Sequence, residues 1–333
     1  MVTPLRISIA LCTCNGVKHL PEQLQSLSSQ TRRPDELIVF DDASRDGSAD
    51  IVSRFAESAP FPVRLNVNPR NIGATENFQR AVAACGGDII ALCDQDDVWM
   101  PEKLQLVEAE FVRDKDLGFV FTDAEICNEI GRPLGYTLWQ SVGFTPRLQR
   151  RLTAARSIEP NDAQAFELIL RNNIVTGATM AFASRFKSLV LPIDSLWFHD
   201  GWIALLISAF APARVIGQSL IRYRQHPAQS VGALQRTLYQ QYQAAKKMDR
   251  HIFADHARMY QAALARLESW HEQPPRQSNL LPMLEGKIRH CRIRSAMRLR
   301  QRSRLAPSIV ELLTLRYRRY SLGWKSFAQD LFL

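Results

Sequence analysis

Three carboxylates crowd one short turn in Cys93-Asp94-Gln95-Asp96-Asp97-Val98-Trp99. The apolar run before it, Asp88 to Leu92, reads as a buried strand. Pro101, just after it, suits the first turn of a helix, where no backbone N–H is needed. The turn therefore lies at the carboxyl end of a strand, where open α/β sheets bind ligands. Negative charges this close repel one another unless a cation joins them. A hard divalent ion, Mg²⁺ or Mn²⁺, prefers carboxylate, water and phosphate oxygens, so the triplet points to a metal with a phosphate-bearing ligand. In isolation the same triplet is also compatible with a solvated acidic turn or a helix cap, and the rest of the chain has to decide.

The elements that must position this turn follow from periodicity. Leu5 to Cys12 reads as a first strand, ending in the loop Thr13-Cys14-Asn15-Gly16. Leu20, Leu24 and Leu27 share one helix face. Glu36 to Phe40 is a second strand, ending in Asp41-Asp42, with turn and capping residues before a helix at 49–57. Pro62 to Val67 makes a short third strand, Asn68 to Gly73 a loop, and Ala74 to Cys85 a helix. After the acidic turn come a helix from Met100 to Arg113, a strand at 118–122, and an irregular stretch at 128–160 with a short helix. Phe166 to Leu170 reads as helix. Ile174 to Phe182 reads as a strand broken by Gly177, and a strand glycine marks a bulge or a close ligand approach. An apolar helix at 202–210 and a strand from Val215 to Arg224 follow. From Leu234 onward the pattern is helical. Strands alternating with helices predict an α/β fold with a mostly parallel, doubly wound sheet, its polar loops gathered on one edge. The predicted domains are a catalytic one over 1–232, with a nucleotide-binding half near 1–97 and an acceptor half near 98–232, and a basic helical region over 233–333.

Charge separates those two parts. Residues 281–333 hold 12 Lys and Arg against 3 Asp and Glu, while the remainder is balanced, so the net charge of +9 resides in the tail. Arg-rich helix with apolar neighbours (Ile288, Ile293, Met297, Leu305) suits an anionic membrane surface. The alternative is a tail packed on the catalytic domain. Six cysteines occur without a C-x-x-C pair, so neither a zinc site nor a disulfide framework is expected, and a reducing cytosol is the expected setting. The first residues lack a signal-peptide pattern, and no apolar run is long enough to span a bilayer. The predicted location is cytoplasmic, at most peripheral to the inner membrane face.

Taken in order, several stretches resemble family 2 glycosyltransferases of the GT-A fold over roughly residues 5–232. They are Thr13 to Gly16, Phe40 to Ser44 with Asp46-Gly47-Ser48, Asn71-Ile72-Gly73 with Asn77, Asp94 to Asp97, Val175 to Thr179, His199-Asp200, and Tyr223-Arg224-Gln225-His226. The variants around Asp94 to Trp99, His199-Asp200 and Arg224-x-His226 look most like bacterial rhamnosyltransferase-type members. The resemblance implies a metal-dependent, inverting transfer of a sugar, with rhamnose from dTDP-rhamnose as the favoured donor. The acceptor is then a glycan or a lipid-linked glycan in surface polysaccharide synthesis. It implies a nucleotide-sugar site of Thr13, Asn15, Asp41, Asp42, Asn71, Gly73, Asn77, Asp94 and Gln95. Asp42 is the base reader, since a carboxylate accepts the imide N–H of uracil or thymine; alternatively it caps a helix. Asp94, Asp96 and His226 are the implied metal ligands, although His226 also reads as an ordinary loop residue. Asp200 matches the catalytic base and also reads as a helix N-cap, with Trp197, Phe198 and Trp202 placed to desolvate it or stack on sugar. Gly177, Thr179 and Trp202 belong to the acceptor side.

Two rivals are weaker. A nucleotidyltransferase wants a Gly- and Arg/Lys-rich loop after the first strand, and Thr13 to Lys18 is poor in both. A nucleic-acid-binding role for the Arg-rich tail leaves the acidic loops unexplained, so no nucleic acid is expected as partner. Hydrolase, zinc-protease and P-loop motifs are missing.

Overall fold

The computed structural model describes every residue except 1–3, 154–163, 228, 230–239, 241, 242, 244, 273, 300–303 and 333. Its centre is a nine-stranded sheet. The first half alternates strand and helix: β1 (Ile7–Thr13), α1 (Leu20–Ser28), β2 (Glu36–Asp41), α2 (Ser48–Ser58), β3 (Val63–Val67), α3 (Ala74–Ala84) and β4 (Ile89–Cys93). These four strands are parallel, in the order β3-β2-β1-β4. Every residue of β1 and β4 is buried. That burial explains their unbroken apolar runs, because both faces of the strand meet packed side chains. Leu20, Leu24 and Leu27 of α1 and Phe78, Ala81 and Val82 of α3 are among the buried positions.

The register brings the strand ends together. Thr13 lies opposite Asp41, and Leu11 opposite Cys93. The loops after β1, β2 and β4 therefore open on the same edge. The chain runs outward from β1 through β2 to β3, then crosses back to place β4 on the other side of β1. The loops after β1 and β4 thus flank a topological switch point, the crevice where open sheets take ligands.

The second half completes the sheet: β5 (Val98–Trp99), α4 (Lys103–Arg113), β6 (Phe119–Cys127), β7 (Pro133–Thr137), α5 (Leu138–Ser141), α6 (Pro146–Thr153), α7 (Gln164–Arg171), β8 (Met180–Ala183), α8 (Lys187–Val190), α9 (His199–Ser208) and β9 (Ala213–Arg224). Antiparallel β8 sits between β4 and β6, and β9 runs parallel to β6. Two strands come in addition to those expected. Val98 and Trp99 pair with Arg222 and Ile221 of β9, which delays the next helix to Lys103. β7 pairs with β6 inside the stretch expected to be irregular. The strand expected over 174–182 is shorter than predicted. Only Met180–Ala183 is strand, and Gly177–Thr179 forms a 3₁₀ turn closed by Thr179 N–H on the Thr176 carbonyl at 3.0 Å. The Gly177 N–H goes to the Asp200 carboxylate, not to a ladder.

After β9 come α10 (Ile252–Ser269), α11 (Leu280–Leu299), α12 (Leu305–Leu313), α13 (Arg316–Tyr320) and α14 (Trp324–Phe332). The expected domain boundary near 232 and the start of the helical pattern at Leu234 lie outside the described residues. α10 packs on both α9 and α11. Among the described residues no helix is long and apolar enough to cross a membrane. All six cysteines are free thiols.

Candidate active site

At the open edge the loop after β2 is held from both sides. Asp41 is fully buried; its carboxylate accepts from Thr13 Oγ1 at 2.7 Å, Ser44 N–H at 2.8 Å and Ser44 Oγ at 2.6 Å. Asp42 is 2% exposed. Its Oδ1 accepts from Asn68 Nδ2 at 3.0 Å and Ile72 N–H at 2.9 Å, and its Oδ2 from Gly73 N–H at 2.9 Å. Gly73 has φ +86° and is the N-cap of α3, so Asp42 caps a helix across the crevice. Asn77 is buried with both amide ends engaged, on the Phe40 carbonyl at 2.8 Å and Asn68 at 2.8 Å. Asn77 thus ties the end of β2 to the loop after β3, and both ends of the amide expected to contact a nucleotide are taken. Asn15 and Asn71 are the exposed members of the set. Asn15 holds φ +48° and accepts from Arg45 N–H at 3.0 Å.

Gln95 bridges the loops after β1 and β4. Its Oε1 accepts from Cys14 N–H at 2.8 Å and its Nε2 donates to the Cys14 carbonyl at 3.0 Å. A Cβ at Gly16 would lie 2.1 Å from Gln95 Oε1, so a side chain there would displace the Gln95 amide. Asp96 pairs with His226 Nε2 at 2.8 Å, and the His226 ring lies 5.1 Å from that of His19. Asp97 is buried; its Oδ1 accepts from Arg224 N–H at 3.1 Å, and its Oδ2 has no partner among the described residues.

Two residues central to this loop were not among the sequence-derived site residues. Arg224, 3% exposed, donates to the Asp96 carbonyl at 2.9 Å, the Glu129 carbonyl at 2.9 Å and Glu22 at 2.6 Å. Its signal was its place two residues before His226. Lys103 is fully buried, donates to the Ala178 carbonyl at 2.8 Å and lies 3.3 Å above the Trp99 ring. Its signal was subtle: Lys103, Val107 and Phe111 share one face of α4 at i, i+4, i+8.

Electrostatics ties these groups into one field. Burial pushes the Asp94 carboxyl up to about 7, helped by the Asp96 and Asp200 charges and opposed by Lys103. Burial, then Asp96 and Asp94, hold the Asp97 carboxyl well above the ordinary range. Burial lowers the Lys103 ammonium to about 7 against the pull of Cys93, Asp97 and Asp94. After burial, the carboxylates also raise one another, as like charges held close do.

Asp200 stands across this field in the first turn of α9, where the helix dipole favours a carboxylate. The N-cap is Phe198, so Asp200 is not that cap, although its Oδ1 accepts from its own helix at Gly201 N–H, 2.5 Å. Its Oδ2 accepts from Gly177 N–H at 3.1 Å. His199 is buried, stacked on Phe78 at 3.8 Å, with neither ring nitrogen partnered; burial lowers its pKa. Trp202 is 2% exposed with its indole N–H on the Val190 carbonyl, and Trp197 is 7% exposed with its indole on the Met259 carbonyl. Both belong to the core, so the assignment of Trp202 to the acceptor side is corrected; the exposed aromatic here is Phe198, at 59%. Thr179 is buried, its hydroxyl closing the turn on Thr176, and Gly177 serves through its backbone. The Thr179 side chain is therefore not turned toward the open edge that was expected to receive an acceptor.

The residues fit a divalent cation of one particular kind. Among the described residues no three His, Cys, Asp or Glu side chains converge as a ready-made cage. Mg²⁺ and its congeners commonly take one or two protein carboxylates and complete their shell with substrate phosphates and water. The paired Asp96 and His226, with Asp94 in electrostatic reach, match that partial set.

Comparison with known proteins agrees with this architecture. Residues 8–167 match the sequence model of the glycosyl transferase family 2. An uncharacterized glycosyltransferase of a Nostoc strain is 26% identical over 227 residues, 67% of this chain and 66% of that protein. The putative teichuronic acid biosynthesis glycosyltransferase TuaG of Bacillus subtilis is 27% identical over 128 residues, 38% of this chain and 50% of its own length. The matches thus span 66% of the first relative's length and half of the second's. Among solved structures, Staphylococcus aureus TarS 1–349 in complex with UDP-GlcNAc aligns with a TM-score of 0.53 at 13% identity, covering 98% of this chain and 81% of that one. The mannosyltransferase PcManGT of Pyrobaculum calidifontis, in complex with GDP-Man and Mn²⁺, aligns at 0.52 and 16% identity, covering 99% and 79%. The fold is GT-A: a mixed, mostly parallel sheet with flanking helices, followed here by C-terminal helices.

Proposed function

We propose that this chain, whose residues 8–167 carry the family 2 pattern, is an inverting glycosyltransferase that uses a nucleotide-diphosphate sugar. The observation that carries the proposal is the placement of Asp200 within the electrostatic field of Asp94, with the Asp96–His226 pair on the neighbouring loop. Asp200 takes the proton of the acceptor hydroxyl as that oxygen bonds to the anomeric carbon. The bond from that carbon to the diphosphate oxygen breaks on the opposite face, and the nucleoside diphosphate leaves. Asp94, Asp96 and His226 would hold Mg²⁺ or Mn²⁺, which supplies neutralisation of the leaving diphosphate when bound. Gly177 orients Asp200 through its backbone N–H. Asp41 and Asp42 fix the base pocket, and Oδ2 of Asp42, with its single donor, keeps an acceptor position for the imide N–H of a pyrimidine. Thr13, Asn15, Asn71, Gly73 and Gln95 shape the nucleotide wall.

We favour dTDP-rhamnose as donor and a lipid-linked or growing surface glycan as acceptor, met at the cytoplasmic membrane face. Support for the donor comes from the sequence around Asp94 to Trp99 and Arg224-x-His226. A thermal-shift panel of dTDP-, UDP- and GDP-sugars with and without Mn²⁺ tests it, since a ligand of the folded state raises its melting temperature. The expected result is a metal-dependent shift, largest for dTDP-rhamnose, and release of nucleoside diphosphate on adding acceptor. Pyrophosphate release, or no shift with any nucleotide sugar, would overturn the proposal.

A further inference from the structure

We infer that the groove between α10, α11 and α13 is a binding site for the phosphate headgroup of an anionic lipid in a membrane surface. The groove has a volume of about 940 Å³ and brings together Arg289, Arg292, Arg316 and Arg319 over a floor that includes Ile288 and Ile293. Among the described residues, the only acid lining it is Glu285.

The tail sorts its cations into two groups. Those that stabilise the helices are buried or half-buried and hydrogen-bonded within the fold. Arg294 makes a bidentate pair with Asp330 at 2.6 and 2.8 Å and lies 3.9 Å from the Phe253 ring. Lys287 donates to the Tyr320 carbonyl at 2.6 Å, and Arg298 to the Met248 carbonyl at 3.1 Å. Those that line the groove are different. Arg289 and Arg292 are exposed and, among the described residues, have no ion-pair partner; Arg319 has only the Tyr320 ring, 5.7 Å away. Arg316 is tethered to Glu311 at 2.8 Å. Three guanidinium groups left free around one concavity match a phosphate, which arginine binds through parallel N–H donors.

The rim argues for a lipid as the source of that phosphate. Thr314 and Arg316 line the groove, and the residues flanking Thr314 are Leu313, 76% exposed, and Leu315, 62% exposed. Leu305, Ile309 and Val310 of α12 are exposed too. A soluble phosphate gives these leucines nothing to bury, whereas a basic surface edged by apolar side chains suits the headgroup boundary of a bilayer. The sequence-level expectation placed Ile288, Ile293, Met297 and Leu305 among the apolar residues of that face. Ile288 and Met297 are buried in helix packing, while Leu305 is exposed together with Ile309, Val310, Leu313 and Leu315.

The test does not depend on glycosyl transfer. The full chain is co-sedimented with phosphatidylcholine vesicles and with vesicles containing phosphatidylglycerol, alongside the variant R289Q/R292Q/R319Q. Among the described residues these side chains make no ion pair, and Arg319 has only the Tyr320 ring at 5.7 Å, so the variant is expected to keep its melting temperature. Binding should require phosphatidylglycerol and weaken with salt. The triple variant should lose on the order of a hundredfold in partition, from the contribution of each basic residue near an anionic surface. Leu313→Ser should weaken vesicle binding several-fold while leaving weak binding of glycerol phosphate unchanged. Three outcomes would overturn the inference: equal binding by the native chain and triple variant, glycerol phosphate binding as tight as vesicle binding, or single-stranded RNA bound tightly and lost in the same variant.

Discussion

A carboxylate earns a catalytic role by what remains free on it, and this sorts the acidic residues at the sheet edge. Asp41 and Asp42 spend most of their acceptor capacity on backbone and side-chain donors. Among the described residues Asp96 meets only His226 through its side chain, and Asp200 holds two backbone N–H groups while staying partly exposed. Asp200→Asn keeps the shape but not the proton acceptance, so turnover is predicted to fall roughly 10²–10⁴-fold with donor binding unchanged. Initial rates set beside calorimetric titration of the donor separate the two; near-native turnover would leave Asp200 only its helix contacts. Asp96→Ala is predicted to silence transfer while the melting temperature stays within a few degrees, because its side chain braces no buried element. The residue types at these positions were legible in the sequence, as was their gathering at strand ends. Their partners were not. Whether Asn77 faces a nucleotide or the Phe40 carbonyl depends on a contact 37 residues away, and no local pattern encodes it. Trp202 was misplaced for a related reason: a tryptophan after His199-Asp200 looks the same whether its indole meets sugar or the Val190 carbonyl.

At the scale of elements, the parallel β/α order was readable because buried strands and amphipathic helices leave unmistakable periods. The elements missed were those made by pairing rather than pattern. β5 has two residues and exists only because β9 runs alongside it. The stretch before β8 is apolar enough for a strand, but Gly177 gives its N–H to Asp200 and the chain turns instead. Loops at the switch point are joined by the reciprocal Gln95–Cys14 pair, and Gly16→Ala would drive a methyl group into it. The predicted cost is about 1–3 kcal/mol of stability from the broken bonds, together with weaker donor binding; urea denaturation and the thermal-shift panel measure both. Among the C-terminal helices, pH is the probe. Burial, with Lys287 and Arg294 nearby, lowers His256 from 6.5 to about 4, against the weaker pull of Asp255. Burial lowers His290 as well. Between those values the unfolded chain binds the proton and the folded one does not, so stability falls as pH drops from about 6.5 to about 4. His256→Gln should flatten that slope in melting curves recorded across the window; an unchanged slope would assign it to other groups.

For the whole molecule, the decisive question is whether the basic tail is an appendage or part of the body. Its charge distribution suggested a membrane-facing tail or, alternatively, one packed on the catalytic domain. The contacts show packing. The Trp197 indole donates to the Met259 carbonyl at 2.8 Å. Arg266 reaches the carbonyls of Leu189 at 2.8 Å, Ser188 at 2.7 Å and Leu191. Trp270 meets Phe210 edge-on at 4.5 Å, and Arg171 donates to the Ser321 carbonyl at 3.1 Å. α11 then covers the other side of α10 with Met283, Leu284 and Ile288. Each fully buried side chain of this kind contributes about 1.5–3 kcal/mol, and a domain's whole margin is about 5–15 kcal/mol. A chain ending at Leu280 is therefore predicted to lose most of its stability, recovered as insoluble protein or as a species melting far below the full chain. A soluble fragment with native melting temperature and transfer activity would disprove the coupling. Arg266→Ala gives the graded version: three carbonyls lose a shared cation, and the urea midpoint should fall by the equivalent of about 1–3 kcal/mol with far-UV and tryptophan signals still changing together. Separate transitions for the two signals would mean that the sheet and the C-terminal helices unfold as independent units. Since α10 packs directly on α9, which carries Asp200, the same rigidity bears on function. On the proposal that the C-terminal helices meet a membrane and that the acceptor is lipid-linked, Arg266→Ala should lower transfer to an acceptor in vesicles more than transfer to a soluble one.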